Sequence, residues 1–111
     1  MVTGISRGTI ARAQELLGLE ISDVARAVGC TTGTLNRWRR GAQDPSPQYL
    51  EQLELLDDLL HQLVDKARSR ERVREWFEGR VPALGNHRPR EIFLTGNLAH
   101  LVVYLRRLER L

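Results

Sequence analysis

The chain reads as all-α, and three observations predict it. Apolar residues make up 41% of its 111 positions but aromatic ones only 5%, and Leu recurs where strands would favour β-branched and aromatic residues. The apolar positions repeat at three and four residues rather than alternating. Glycines and prolines fall between those runs, at Gly18, Gly29, Gly41, Pro45 and Gly79, where helices would stop and start. The length suits one compact domain, or two small ones sharing a core across a common helix, and is short for a large enzyme.

Taken in order, a first helix is expected from Thr9 to Leu17, because Ile10, Ala13, Leu16 and Leu17 share a face and Gly18 supplies a stop. Ser22 and Asp23 mark the start of a second, about Ile21 to Val28, with Val24, Ala25 and Val28 on one side and Gly29 at its end. A third follows from Thr32 to Arg40 and is closed by Gly41. The stretch from Gly41 to Pro47, with two prolines, is the clearest break and divides the chain into residues 1–45 and 46–111. Ser46 as cap and Pro47 at the first helical position open a long helix to about Ala67. Its Leu50, Leu53, Leu56, Leu60 and Leu63 or Val64 form a stripe that Leu55 and Leu59 widen, so it should pack against two neighbours or a second copy of itself.

Beyond it, a helix from Ser69 to Glu78 turns Val73, Trp76 and Phe77 inward. A turn-rich elbow from Gly79 to Pro89 docks Trp76 and Leu84 between helices, and Pro89 forces Arg88 into an extended conformation. A short helix near Arg90 to Leu94 precedes a last one from about Asn97 to the terminus, with Leu98, Leu101, Val102, Leu105 and Leu108 on one side. Val103 and Tyr104 extend its apolar surface beyond one buried stripe. The expected architecture is an N-terminal helix-turn-helix domain joined by a long Leu-rich helix to a small C-terminal helical domain.

Charge is unevenly placed. The formal net charge is +3 and the sequence pI about 9.7. Residues 1–45 hold six Arg against four acids, residues 46–66 one Lys against five acids, and residues 67–111 ten Arg against five acids. An acidic middle between basic flanks suggests ends that meet different surfaces, though a salt-bridged helical assembly gives the same profile. Cys30 alone builds no disulfide framework, no basic segment followed by an apolar signal core opens the sequence, and the cytoplasm is the expected address. The most apolar stretch, Ile92 to Leu105, is too short to span a bilayer. His61, His87 and His100 are scattered, and there is no phosphate loop, nucleophile elbow or Cys pair. Neither catalysis nor a metal or other cofactor is expected.

The segment from Ile21 to Trp38 carries the residue types that a tight bend between helices imposes. Ala25 is small where the next helix crosses it, Gly29 suits a left-handed turn, and Val24, Val28, Leu35 and Trp38 fill the space between. This spacing, with the following Trp-Arg-Arg-Gly and a proline a few residues on, resembles the helix-turn-helix of the Xre and phage-repressor family over about forty residues. If Leu35 and Trp38 turn inward, Gly33, Asn36, Arg37 and Arg40 face outward, a basic face suited to the major groove of double-stranded DNA. Arg37 would read guanine and Asn36 adenine, each by two hydrogen bonds. Thr31 and Thr32 would reach a phosphate or base edge from the helix start, Arg39 the DNA backbone, and Gly33 would permit close approach. A solvated arginine face is the plain alternative, and Cys30 reads as a small buried side chain.

Trp76, Phe77, Pro82, Ala83, Leu84, Gly85, Pro89, Glu91, Ile92 and Phe93, then Gly96 and the helix with Val102 and Leu105, resemble the toxin-binding domain of the Xre/MbcA/ParS antitoxins. With the long Leu helix the match covers residues 50–111. The resemblance implies an antitoxin whose second half clasps a cognate toxin, commonly a RES-type enzyme that consumes NAD, while the first half represses the shared promoter. It makes Leu84, Gly85, His87, Arg88, Tyr104, Arg107 and Arg110 the candidate toxin contacts. Arg88 stands where such families often place a helix cap, and the linking helix is unusually Leu-rich; a stand-alone repressor without a toxin is the alternative. Arg68 to Arg74, interleaved with Glu71 and Glu75, read as a solvated face. Arg106, Arg107 and Arg110 suit the negative end of the last helix or an acidic toxin surface. A homodimer on a palindromic operator is expected, its half-sites about 34–36 Å apart and its contact supplied by the long Leu helix or the last one.

Overall fold

The computed structural model describes the backbone of residues 2–111 and the side chains of residues 8–111. Glycines set the ends of the first three helices. α1 (Val2–Leu17), α2 (Ile21–Val28) and α3 (Thr32–Arg40) stop at Gly18, Gly29 and Gly41, whose φ angles of 68°, 90° and 77° lie in the left-handed region that strains any residue with a Cβ. α1 starts at Val2 rather than Thr9, because the segment before Thr9 carries two glycines and no apolar stripe to announce a helix. The Asp23 carboxylate accepts from the Glu20 amide at 3.1 Å to open α2, and Thr31 Oγ1 accepts from the Thr34 amide at 3.1 Å to open α3.

α4 (Pro47–Lys66) begins at Pro47 as its spacing predicts, yet the Ser46 side chain makes no capping bond; only its carbonyl enters the helix. α5 (Arg70–Glu78) is capped by Ser69, whose hydroxyl accepts from the Arg72 amide at 3.1 Å. The elbow contains one 3-10 turn, Pro82–Leu84, and an isolated bridge between Val81 and His87. Arg88 is extended before α6 (Pro89–Leu94). α7 (Leu98–Arg106) does not reach the terminus. Lys66 Nζ donates to the Leu105 carbonyl, and the Leu111 amide donates to the Lys66 carbonyl at 3.0 Å, so the tail folds back on the end of α4. Leu108 and Arg110 therefore lie past the helix, and Arg106 pairs with Asp58 of α4 instead of only facing a helix dipole.

α4 is the axle of the molecule. Its Leu53, Leu56, Leu59, Leu60 and Leu63 are at most 2% exposed and are shared between α1 on one side and α7 on the other. These five leucines are thus buried within one chain, while Val64 at the margin of the stripe is 66% exposed. One core runs from Ile10 and Trp38 past these leucines to Phe77, Phe93 and Leu101, and Phe77 meets Phe93 edge-on at 5.6 Å.

Polar ties fix the parts along this core. Gln52 Nε2 of α4 donates to the Ala27 carbonyl at the end of α2 (2.9 Å) and to the Gly96 carbonyl before α7 (3.0 Å). Arg90 of α6 spans Asp23 of α2 and Glu78 of α5, at 3.5 and 3.1 Å. Arg74 donates to the Glu15 and Leu16 carbonyls at 2.7 and 2.9 Å, and Arg70 pairs with Glu15 at 2.7 Å. These two arginines dock α5 on the carbonyl end of α1, a correction to the purely solvated face; Arg72 and Glu75 form the expected local pair at 3.4 Å. Among the described residues no helix is long and apolar enough to cross a membrane.

Candidate nucleic-acid interface

The exposed face of α3 follows from what its other face buries. Leu35 and Trp38 are 0% and 1% exposed, and the Trp38 ring lies 5.3 Å from that of Tyr49 on α4. With that side anchored, Gly33, Arg37, Arg39 and Arg40 are exposed on α3, and Thr31 and Thr32 at its start. Arg37, Arg39 and Arg40 enter no ion pair among the described residues, so three cations stand together on one short helix. A Cβ on Gly33 would lie 3.6 Å from Arg37 Nη1, an ordinary van der Waals contact, so Gly33 sits directly beside that guanidinium.

Asn36 departs from the expectation. It is half-buried, and its Oδ1 is shielded from solvent with no hydrogen-bond partner. A two-bond contact to adenine requires that oxygen to accept from the base, so Asn36 as placed does not present the edge expected of it. The physical reason is position: Asn36 lies at the margin of the outward face, where the helix turns toward its neighbours. The indole nitrogen of Trp38 is likewise buried without a partner.

Arg37 is held rather than free. Its Nε donates to Gln43 Oε1 at 3.0 Å and its Nη2 to Thr34 Oγ1 at 3.1 Å, while Thr34 Oγ1 also accepts from Thr31 Oγ1 at 3.0 Å. Neither Thr34 nor Gln43 stands out in the sequence. The three-residue spacing of Thr34 and Arg37 would reveal the first contact, but Gln43 depends on the path of the loop after Gly41.

The other candidate residues gather around the elbow and α7. Leu84 is buried and belongs to the core, so its side chain is not free to meet a partner broadly. Gly85, His87 and Arg88 are exposed. Arg88 is the N-cap residue of α6, and Glu91 one turn on supplies the side-chain bond: its carboxylate accepts from the Arg88 amide at 3.0 Å and lies 3.5 Å from His87 Nδ1. That amide bond first, and then the charges of Arg80 and Arg88, hold the Glu91 carboxyl below its ordinary range. Tyr104 stacks on Trp76 with ring centres 6.4 Å apart. Tyr104, Arg107 and Leu84 share a cleft of about 250 Å³ with His100 and with Val103, which is 45% exposed. Arg110 is exposed in the tail. A larger groove of about 580 Å³ lies between α1, α4 and α5, floored by Leu16, Leu60 and Val64. No group of three or more His, Cys, Asp or Glu residues converges as metal ligands would among the described residues.

The helix-turn-helix family model matches residues 10–56, from α1 through α3 and into the first half of α4. Residues 10–56 are a helix-turn-helix domain. The chain as a whole shares its fold with a chain of the M. tuberculosis MbcT-MbcA toxin-antitoxin complex, with a TM-score of 0.67 over 93% of this chain and 92% of that one. The two are 19% identical, so it is the fold that they share. Among curated proteins no sequence matches. Within the helix-turn-helix domain, α2 and α3 are the two helices of the motif, Gly29 its turn, and α3 the helix that carries the three unpaired arginines.

Proposed function

We propose that this chain is a DNA-binding antitoxin. Its helix-turn-helix domain holds an operator at its own promoter, and its C-terminal helices neutralise a toxin by direct binding. The observation that carries the DNA half is the anchored α3: Leu35 and Trp38 are buried while Arg37, Arg39 and Arg40 are exposed and unpaired. In this reading Arg37 meets a base edge. Arg39, Arg40, Thr31 and Thr32 meet the phosphate backbone, and Gly33 allows the helix close to the groove.

The antitoxin half is supported by the shared fold with a chain of a toxin-antitoxin complex and by the sequence resemblance of residues 50–111 to toxin-binding domains. The toxin is of the RES type that consumes NAD, and its contacts are drawn from Gly85, His87, Arg88, Tyr104, Arg107 and Arg110, with Val103 and His100 beside them. The chain acts in the cytoplasm as a homodimer on a palindrome and carries no catalytic residue of its own. Co-expression with the product of the adjacent gene, followed by affinity capture, tests the toxin half. Co-purification and rescue of growth are expected. Operator binding without capture of that neighbour would leave a repressor alone.

A further inference from the structure

We infer that Gln43 and Thr34 are positioning residues that set Arg37 for base reading, so that the specificity of α3 depends on a loop residue that touches no base. The inference rests on the DNA-binding reading of α3. Its ground is the hydrogen-bond geometry around one guanidinium. Arg37 spends Nε on Gln43 Oε1 and one Nη2 hydrogen on Thr34 Oγ1, at 3.0 and 3.1 Å. Of its five N–H donors, both on Nη1 and one on Nη2 remain, enough for the two parallel bonds that guanine N7 and O6 accept.

The cradle is itself supported. Thr34 Oγ1 accepts from Thr31 Oγ1, and Thr31 Oγ1 accepts from the Thr34 amide as the cap of α3, so the Thr34 acceptor is tied to the start of the helix. Gln43 follows the left-handed turn at Gly41, where the Ala42 amide donates to the Arg37 carbonyl at 2.9 Å. The loop is therefore closed on the same residue whose side chain it holds. Nη1 carries no hydrogen bond among the described residues, and Gly33 beside it is near enough that a Cβ would come within 3.6 Å.

An arginine on a bare helix surface loses rotamer freedom when it docks on a base; one already held by two acceptors has lost much of it beforehand. The held state favours binding in one geometry, and hence discrimination between bases, more than it favours contact with DNA in general.

The test begins with a duplex selected by the wild-type chain from a random pool. Affinities for it and for every single base-pair variant are then measured for wild type, Arg37→Ala, Gln43→Ala, Gln43→Glu and Thr34→Ser. Arg37→Ala identifies the position that this residue reads. Gln43→Ala is expected to lower discrimination at that same position by about three- to tenfold, with other positions unchanged. Gln43→Glu keeps the acceptor but adds a negative charge, so it should retain the discrimination ratio while weakening binding to all sequences alike. Thr34→Ser keeps the hydroxyl and should retain both.

A Gln43→Ala variant that discriminates like wild type, or that loses affinity evenly at every position, overturns the inference. A wild-type chain that selects no sequence overturns the reading of α3 instead. The cradle is then judged in the free protein by the heteronuclear NOE of Arg37 Nε–H. That NOE should be rigid in wild type, rigid in Gln43→Glu and lost in Gln43→Ala; an Arg37 as mobile in wild type as Arg39 contradicts the cradle without reference to DNA.

Discussion

Arg37 and Arg39 are neighbours on α3 with the same charge and different expected tasks. Arg37→Ala should flatten the preference at one base pair by about 1–3 kcal/mol. Arg39→Ala should weaken binding to every duplex alike and reduce the steepness of its salt dependence by about one charge. Fluorescence anisotropy against selected and scrambled duplexes at several salt concentrations separates the two. Glu91 gives a pH prediction: its folded carboxyl titrates below the unfolded one. Its contribution is thus complete above the ordinary carboxylate range and fades as the pH falls through the lowered folded value. Glu91→Gln should show a flatter loss of stability than wild type across that acid window in thermal melts. Burial of Leu35 and Trp38 and exposure of the arginines were legible in the sequence, because helical spacing sorts residues by face. The half-burial of Asn36 was not, since a margin position is decided by neighbouring helices. The grip of Gln43 on Arg37 was not either, since it depends on how a loop runs.

Helices announce their ends more plainly than their ties. The stops at Gly18, Gly29 and Gly41 and the start at Pro47 follow from residue type, and α2 and α3 have the expected bounds. The early end of α7 does not follow, because the Lys66 and Leu111 bonds that replace its next turn join residues far apart in sequence. The docking of α5 on α1 through Arg70 and Arg74 is hidden for the same reason: a run of arginines and glutamates reads as local pairing until the end of another helix is brought to it. Gln52 is the sharpest case, one amide serving the carbonyls of two distant elements. Gln52→Leu would leave the Ala27 and Gly96 carbonyls without that donor in a partly buried seam, and should cost about 1–3 kcal/mol in urea unfolding.

At the scale of the whole chain, α4 joins the N-terminal helices and the C-terminal helices in one core. Thr9 of α1 is buried and donates to Asp57 of α4 at 3.0 Å, and the leucine stripe covers what α1 would otherwise expose. Residues 1–45 alone should therefore lack stable helical structure by circular dichroism, even though α1, α2 and α3 all lie within them. The arginine face of α3 and the α7 cleft are therefore carried on one continuous core. The claim on which the account turns is that this framework offers α3 to DNA. The most direct test is binding of the purified full chain to the duplex upstream of its own reading frame, titrated from low to physiological salt against a scrambled duplex of equal length. Saturable binding, tighter for the upstream duplex and weakening steeply with salt, is the predicted result; equal indifference to both duplexes at low salt would contradict it.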